Sequence, residues 1–395
     1  MTAQFDAVIA GHLCLDIIPD LSAVSPDRFP TLFQPGQLRE IGPATCSTGG
    51  AVSNTGLALH ILGVPVRLMG KIGDDAFGQV VRRIIDAYDP RLRDGMAVDP
   101  QASTSYTLVI SPPGIDRLFL HCPGANDTFT AADIRYDLLE RARLFHFGYP
   151  PLMRQMYRRN GDQLVAVFRQ AKATGITTSL DMSLPDPSSP SGQADWPAIL
   201  RRVLPFVDIF LPSIEEILFM LRPNDYRRMV AQAGSGGILP LVTPGLLTSL
   251  GRELLELGVK IAGLKLGDRG FYLCTAGQDA LASLGRAGPA DLAAWAGREL
   301  WAACFQVRVA GATGAGDATI AGFLTAFLRG LPPEEAVTAA TAVGACSVEA
   351  PDALSGLRPW EDTLDRVRRG WPRRPLTVNA PGWWFNPAYR IWQKT

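Results

Sequence analysis

Short apolar runs recur along the chain at Ala7 to Ile9, Val66 to Met69, Leu144 to Phe147, Thr177 to Leu180, Val207 to Leu211, Ile261 to Leu266 and Phe271 to Cys274. Each is bounded by turn-forming residues and is short enough to read as a strand. Between them, apolar residues return at helical spacing over Ala51 to Leu62, Phe77 to Tyr88, Asp162 to Thr174, Ser213 to Leu221, Ala315 to Leu328 and Pro333 to Val348. Strands alternating with helices predict an α/β protein, its mostly parallel sheet covered by helices on both faces. Two stretches break the rhythm. Phe29 to Thr48 is one, and Thr104 to Cys122, with a turn at Pro112-Pro113-Gly114, reads as a hairpin. Strands that cannot join the parallel core predict a small β-sheet lid, drawn from about residues 12–48 and 104–122.

Composition fits this picture and narrows it. The 395 residues suit one large domain with an appendage. With 47% hydrophobic and 19% charged residues, and 38 basic against 38 acidic, nothing points to disorder, nucleic acid or an anionic membrane surface. No run approaches the roughly 20 apolar residues needed to span a bilayer. The first 20 residues lack a basic start and reach Asp6 and Asp16 too early for a secretory signal. Six scattered cysteines show no zinc or dithiol spacing, so we expect reduced thiols and a cytoplasmic protein. The stretches 222–250 and 276–302, rich in Gly, Pro and Ala, read as peripheral insertions. We place the main domain at 1–369 and expect the aromatic, Pro-rich tail 370–395 to lie on the surface as an extended strap.

The strongest chemical signal is Thr313-Gly314-Ala315-Gly316-Asp317-Ala318, which follows the strand-like Phe305 to Val309 and opens a helix. Small residues there leave backbone N–H groups uncovered at a positively polarised helix end, a place that stabilises a phosphoryl group in transfer. Asp317 beside it could take the proton of an attacking hydroxyl. Read by itself, the same segment is equally a tight strand-to-helix turn with an acid in the first helical turn. No Walker A pattern is present, which excludes a P-loop kinase.

TGAGDATIAGFL resembles the C-terminal signature of the ribokinase-like (PfkB) carbohydrate kinases. Thr48-Gly49-Gly50-Ala51-Val52-Ser53-Asn54 resembles their N-terminal signature, and Gly70-Lys71-Ile72-Gly73-Asp74-Asp75-Ala76-Phe77-Gly78 follows Leu62-Gly63 as their GxxGDDxxG segment does. The resemblance runs over about residues 5–360. It implies a three-layer α/β/α sandwich with a β lid, and transfer of a phosphoryl group from ATP, with Mg²⁺, to a sugar or sugar-like hydroxyl. Asp317 would be the general base and Gly314, Ala315 and Gly316 the anion hole. Asp16, Gly49, Gly50 and Asn54 would hold the acceptor.

On the nucleotide side, Pro212-Ser213-Ile214-Glu215-Glu216 resembles the family's Asn-x-x-Glu motif, with Ser213 in place of Asn and Glu216 kept. Glu216 is implied to touch the metal through water. Lys265, Gly267 and Gly270 would border the nucleotide. Asp181 falls at a strand end and is expected behind the reacting groups. Gly311 stands where the family carries an Asp that helps bind a monovalent cation, which puts that cation in doubt. Lids of this family often pair between subunits, so the resemblance allows a homodimer through the lid without fixing the oligomeric state. Two alternatives stay open: a nucleoside kinase on the same scaffold, and an idle relative that binds sugar or nucleotide as a regulator.

Overall fold

The seven apolar runs all become strands of one ten-stranded sheet in the computed structural model, which describes residues 5–114 and 118–395. Residues 1–4 of the N-terminal stretch and 115–117 of the predicted hairpin lie outside the described residues. From one edge, Val66–Met69, Ala7–Gly11, Leu144–Gly148, Thr177–Leu180, Ile209–Phe210 and Ile261–Lys265 run parallel. Phe271–Thr275, Glu299–Ala302, Ile391–Lys394 and Trp383–Asn386 then continue the sheet antiparallel.

Side chains alternate across this sheet, and each face has its own core. Val8, Ala10, Phe145 and Phe147 face Leu164, Val167 and Phe168 of helix Asp162–Ala173. Ala7, Ile9 and Leu144 share the opposite core with helices Ala51–Ile61, Ala315–Leu328 and Pro333–Ser347, through residues such as Leu57, Phe323 and Val337. Burying each large side chain contributes about 1.5–3 kcal/mol, so the two layers hold the strand ends in place. Those ends matter: His12, Tyr149, Asp181 and Lys265 all stand at the carboxyl edge of the parallel strands, the crevice where open α/β sheets bind ligands.

Over that edge lies a four-stranded sheet, ordered Ala44–Gly49, Cys14–Pro19, Tyr106–Ile110 and Leu118–Cys122. The chain enters it directly from strand Ala7–Gly11, second from the edge of the main sheet. Within the 29–48 interruption, Phe29–Phe33 forms a short 3₁₀ turn before the lid strand begins.

Three expectations are corrected. Among the described residues, the strand-like Phe305 to Val309 keeps one bridge, Phe305 to Arg373, made by Gln306 N–H to the Pro372 carbonyl and Arg374 N–H to the Cys304 carbonyl, and beyond it Val309 is exposed. The stretch 276–302 is not peripheral throughout, since Trp295, Leu300 and Trp301 are buried and Glu299–Ala302 is an inner strand. The tail is no surface strap: Trp383–Asn386 and Ile391–Lys394 form a hairpin that extends the main sheet, so the sheet crosses the boundary placed at residue 370.

Candidate active site

Asp317 occupies the first turn of helix Ala315–Leu328 and is 2% exposed. Gly314 before it is left-handed (φ 72°), and a Cβ there would lie 2.4 Å from the Ala353 side chain. Only glycine closes this turn without a clash. The Ala315 N–H already reaches the Ala312 carbonyl at 3.3 Å. Among the described residues, the N–H groups of Gly316 and Asp317 have no protein acceptor, so they are the donors a phosphoryl oxygen would meet.

Three donors fix the carboxylate. Thr55 Oγ1 donates to Oδ1 at 2.9 Å, while Asn54 Nδ2 and Tyr149 Oη donate to Oδ2 at 3.2 and 2.7 Å. A carboxylate has about four acceptor positions. Oδ2 is therefore filled and Oδ1 keeps one lone pair. Asn54 and Thr55 come from helix Ala51–Ile61, which starts at Gly50 (φ 85°) where a Cβ would lie 2.5 Å from both the Nδ1 and the carbonyl oxygen of His12.

Asp16 lies on the lid strand Cys14–Pro19, and a Cβ on Gly49 would fall 2.3 Å from its Oδ2. The two signature glycines are thus required by close approach to Asp16 and His12. Burial raises the pKa of Asp16, opposed by a thiol contact from Cys14 at 3.4 Å. Burial and the neighbouring His121 push His12 down to about 3, which keeps it neutral. Its Nε2 lies 3.3 Å from His121 Nε2 of the lid, and its Nδ1 has no hydrogen-bond partner among the described residues. Asn54 Oδ1 is also without one. Two buried polar atoms thus lie unsatisfied near Asp317, which suits a hydroxyl-bearing ligand.

On the other side of Asp317, Lys265 Nζ is 2.5 Å from Asp181 Oδ1, and a Cβ on Gly316 would sit 3.7 Å from that ammonium. Burial works against the charge on Lys265, but Asp181 and Glu216 outweigh it and the net direction is up. Burial drives Asp181 up, with Lys265 pulling the other way. Glu216 is likewise raised by burial against the pull of Lys265. One ammonium, paired with Asp181, is thus also stabilised electrostatically by Glu216 and Asp317.

Lys265, Gly267 and Gly270 border a cavity of about 300 Å³ that reaches Ala315 and Gly316 and continues along Phe305 and Val307. Ser213 and Glu216 do not line it. Ser213 instead caps helix Ile214–Leu221, its N–H donating to Glu216 Oε2 at 2.7 Å and its hydroxyl accepting from the Glu216 N–H at 3.2 Å. This capping box is a structural reason for serine in place of asparagine. Gly311 also has one: a Cβ there would lie 2.7 Å from the Pro351 carbonyl oxygen, so a side chain does not fit without movement.

Sequence reading missed Tyr149 and Thr55. Tyr149 follows strand Leu144–Gly148 in a left-handed conformation (φ 64°) before Pro150. Its position at a parallel strand's carboxyl end, beside two prolines, was the available signal.

A buried carboxylate in the first turn of a helix thus stands beside a crevice at the carboxyl edge of an α/β sheet. The pfkB family carbohydrate kinase profile matches residues 12–360, and the chain belongs to that family. Fructokinase-2 of Oryza sativa is 29% identical over 239 residues, covering 60% of this chain and 66% of that protein. The aligned part thus falls just short of two-thirds of the relative's length. Among solved structures, Arabidopsis thaliana ribokinase complexed with ribose and ATP superposes with a TM-score of 0.66 at 18% identity, over 92% of this chain and 98% of that one. Fructokinase with bound ATP from Xylella fastidiosa gives 0.65 at 18% identity, over 92% and 98%. At this identity the two structures establish the ribokinase fold. Among the described residues, no helix is long and apolar enough to cross a membrane.

Proposed function

We propose that this protein transfers the γ-phosphoryl group of ATP to a hydroxyl of a sugar or sugar-like molecule. The observation that carries this reading is the free lone pair of Asp317 Oδ1 beside the uncovered N–H groups of Gly316 and Asp317. With other hydroxyls of the acceptor donating to Asp16 and Asn54 Oδ1, the reacting hydroxyl gives its proton to Asp317 Oδ1 as its oxygen attacks phosphorus, and ADP leaves. The developing charge meets the two N–H groups and the Lys265 ammonium. The names of the similar fructokinases, and the ribose and ATP of the Arabidopsis complex, support this substrate pair.

Mg²⁺ fits the electrostatics, since three carboxylates share one ammonium. No three ligating side chains converge on a point among the described residues, so nucleotide oxygens and water would supply its ligands, with Glu216 acting through water. The ion would neutralise phosphate charge. The free cysteines among the described residues suit a cytosolic setting. Exposed Leu118, Phe119 and Leu120 on the lid's edge strand support pairing of two lids.

ADP release measured against ribose, fructose, 2-keto-3-deoxygluconate, phosphorylated hexoses and nucleosides tests the reading. Acceptor-dependent release with at least one sugar is expected, and ATP turnover indifferent to every acceptor would refute it. Asp16→Ala should raise the acceptor KM strongly with ATP affinity unchanged, because each charge-assisted hydrogen bond lost is worth about 1.5–3 kcal/mol. An unchanged acceptor KM would misplace the acceptor. Because Gly311 offers no carboxylate, turnover should be nearly the same with and without potassium at matched ionic strength. A large potassium-selective activation would show that backbone carbonyls alone build that site.

A further inference from the structure

We infer that the C-terminal tail completes the nucleotide site and that Arg374 binds the nucleotide's phosphates, an inference resting on the cavity being the ATP site. Arg374 lies beyond the part of the chain that matches the family profile, which ends at residue 360. Yet its side chain lines the same cavity as Lys265 and Gly316.

The tail is fastened there by several independent contacts. Trp371 stacks on Phe305 with ring centroids 4.6 Å apart, Arg366 covers Trp371 at 3.6 Å, and the Trp371 Nε1–H donates to the Gln306 carbonyl at 2.8 Å. Gln306 N–H in turn donates to the Pro372 carbonyl at 2.8 Å, and Arg374 N–H to the Cys304 carbonyl at 2.7 Å. Arg373 points inward, donating to the Ala303 carbonyl at 2.5 Å and to Thr341 and Thr338 hydroxyls at 3.1 and 3.0 Å. Phe305, a wall of the cavity, is therefore held by the tail.

Arg374 differs from Arg373 in facing solvent and the cavity. Its guanidinium meets Asp268 at 3.0 Å, with both side chains about half exposed (49% and 56%). Such a pair is weak and exchanges readily. Of the two basic side chains lining the cavity, Lys265 is engaged by Asp181, and Arg374 carries the planar donor fork suited to phosphate oxygens. The apolar stretch of Phe305, Val307 and Val309 suits a base, and the charged residues lining the cavity with it are Lys265, Asp268 and Arg374, so the two cations are the groups there that can meet the nucleotide's anionic part.

Calorimetric titration of the full-length protein and of R374A and R374K, with ATP and separately with adenosine, tests this. R374A should weaken ATP about tenfold and adenosine less than twofold, with R374K in between. Unchanged ATP affinity in R374A overturns the assignment. Equal weakening of ATP and adenosine overturns the phosphate contact too, because it shows the arginine only supporting the wall. If the wild-type protein binds no ATP, the reading of the cavity falls, and the inference with it.

Discussion

Asp317→Asn is expected to lower kcat by about 10²–10⁴-fold, the usual worth of a general base, with the fold intact. Asparagine keeps the size and planar shape of the side chain: with its NH2 at the Oδ1 position the Thr55 hydroxyl can turn to accept from it, while its oxygen still accepts from Asn54 and Tyr149. The amide cannot take up the acceptor's proton. Acceptor affinity should hold, while ATP affinity should hold or rise slightly, since one negative charge near the phosphates is gone. Steady-state kcat and calorimetric ATP affinity on the purified variant decide it. Turnover near wild type with intact binding would reduce Asp317 to an ordinary acid at a helix start.

Lys265→Met should act on stability and on chemistry together. The Lys265–Asp181 pair is buried, its side chains 11% and 1% exposed. Removing one partner of such a pair costs about 3–5 kcal/mol, because the other charge is left without compensation. Adding Asp181→Asn removes that stranded charge and should restore much of the loss in a denaturant titration. Turnover should not return, because the ammonium beside Gly316 is still missing. A reduction on the order of 10²-fold is typical for losing one group that stabilises transition-state charge. A double variant that regains stability and also turns over at the wild-type rate would make Lys265 purely structural.

Much of the fold was legible because it is written locally. The helix Ala315–Leu328 was read to the residue, since glycine before it and an unbroken apolar run within it mark both the start and the buried face. The strand Leu144–Gly148 is buried at every position, and a short apolar run is how such a strand reads. Long-range pairing was the part that stayed hidden. Glu299–Ala302 finds its partners in Phe271–Thr275 and in Ile391–Lys394, the latter nearly a hundred residues away. Its four residues, flanked by an Ala-rich segment, carry no period of their own. For the same reason the aromatic residues of the tail read as a strap, although Trp392 faces Trp301 across a sheet.

The site divides the same way. Gly49, Gly50, Gly314 and Asp317 were visible because close backbone approach and a left-handed turn into a helix demand particular residue types. Thr55 and Tyr149 were not, since neither hydroxyl announces that its partner is a carboxylate more than 160 residues away. The resemblance assigned Asn54 to the acceptor. The structure adds that its amide nitrogen reaches Asp317, with its oxygen left over to meet a ligand.

The most direct test of the account follows the phosphoryl group itself. With ATP labelled by ¹⁸O in the γ-phosphoryl group and an acceptor sugar, mass spectrometry of the products shows where the label goes. A labelled sugar monophosphate, formed one for one with ADP, is the expected product. Label recovered only in inorganic phosphate, or remaining in ATP with every sugar offered, would contradict it.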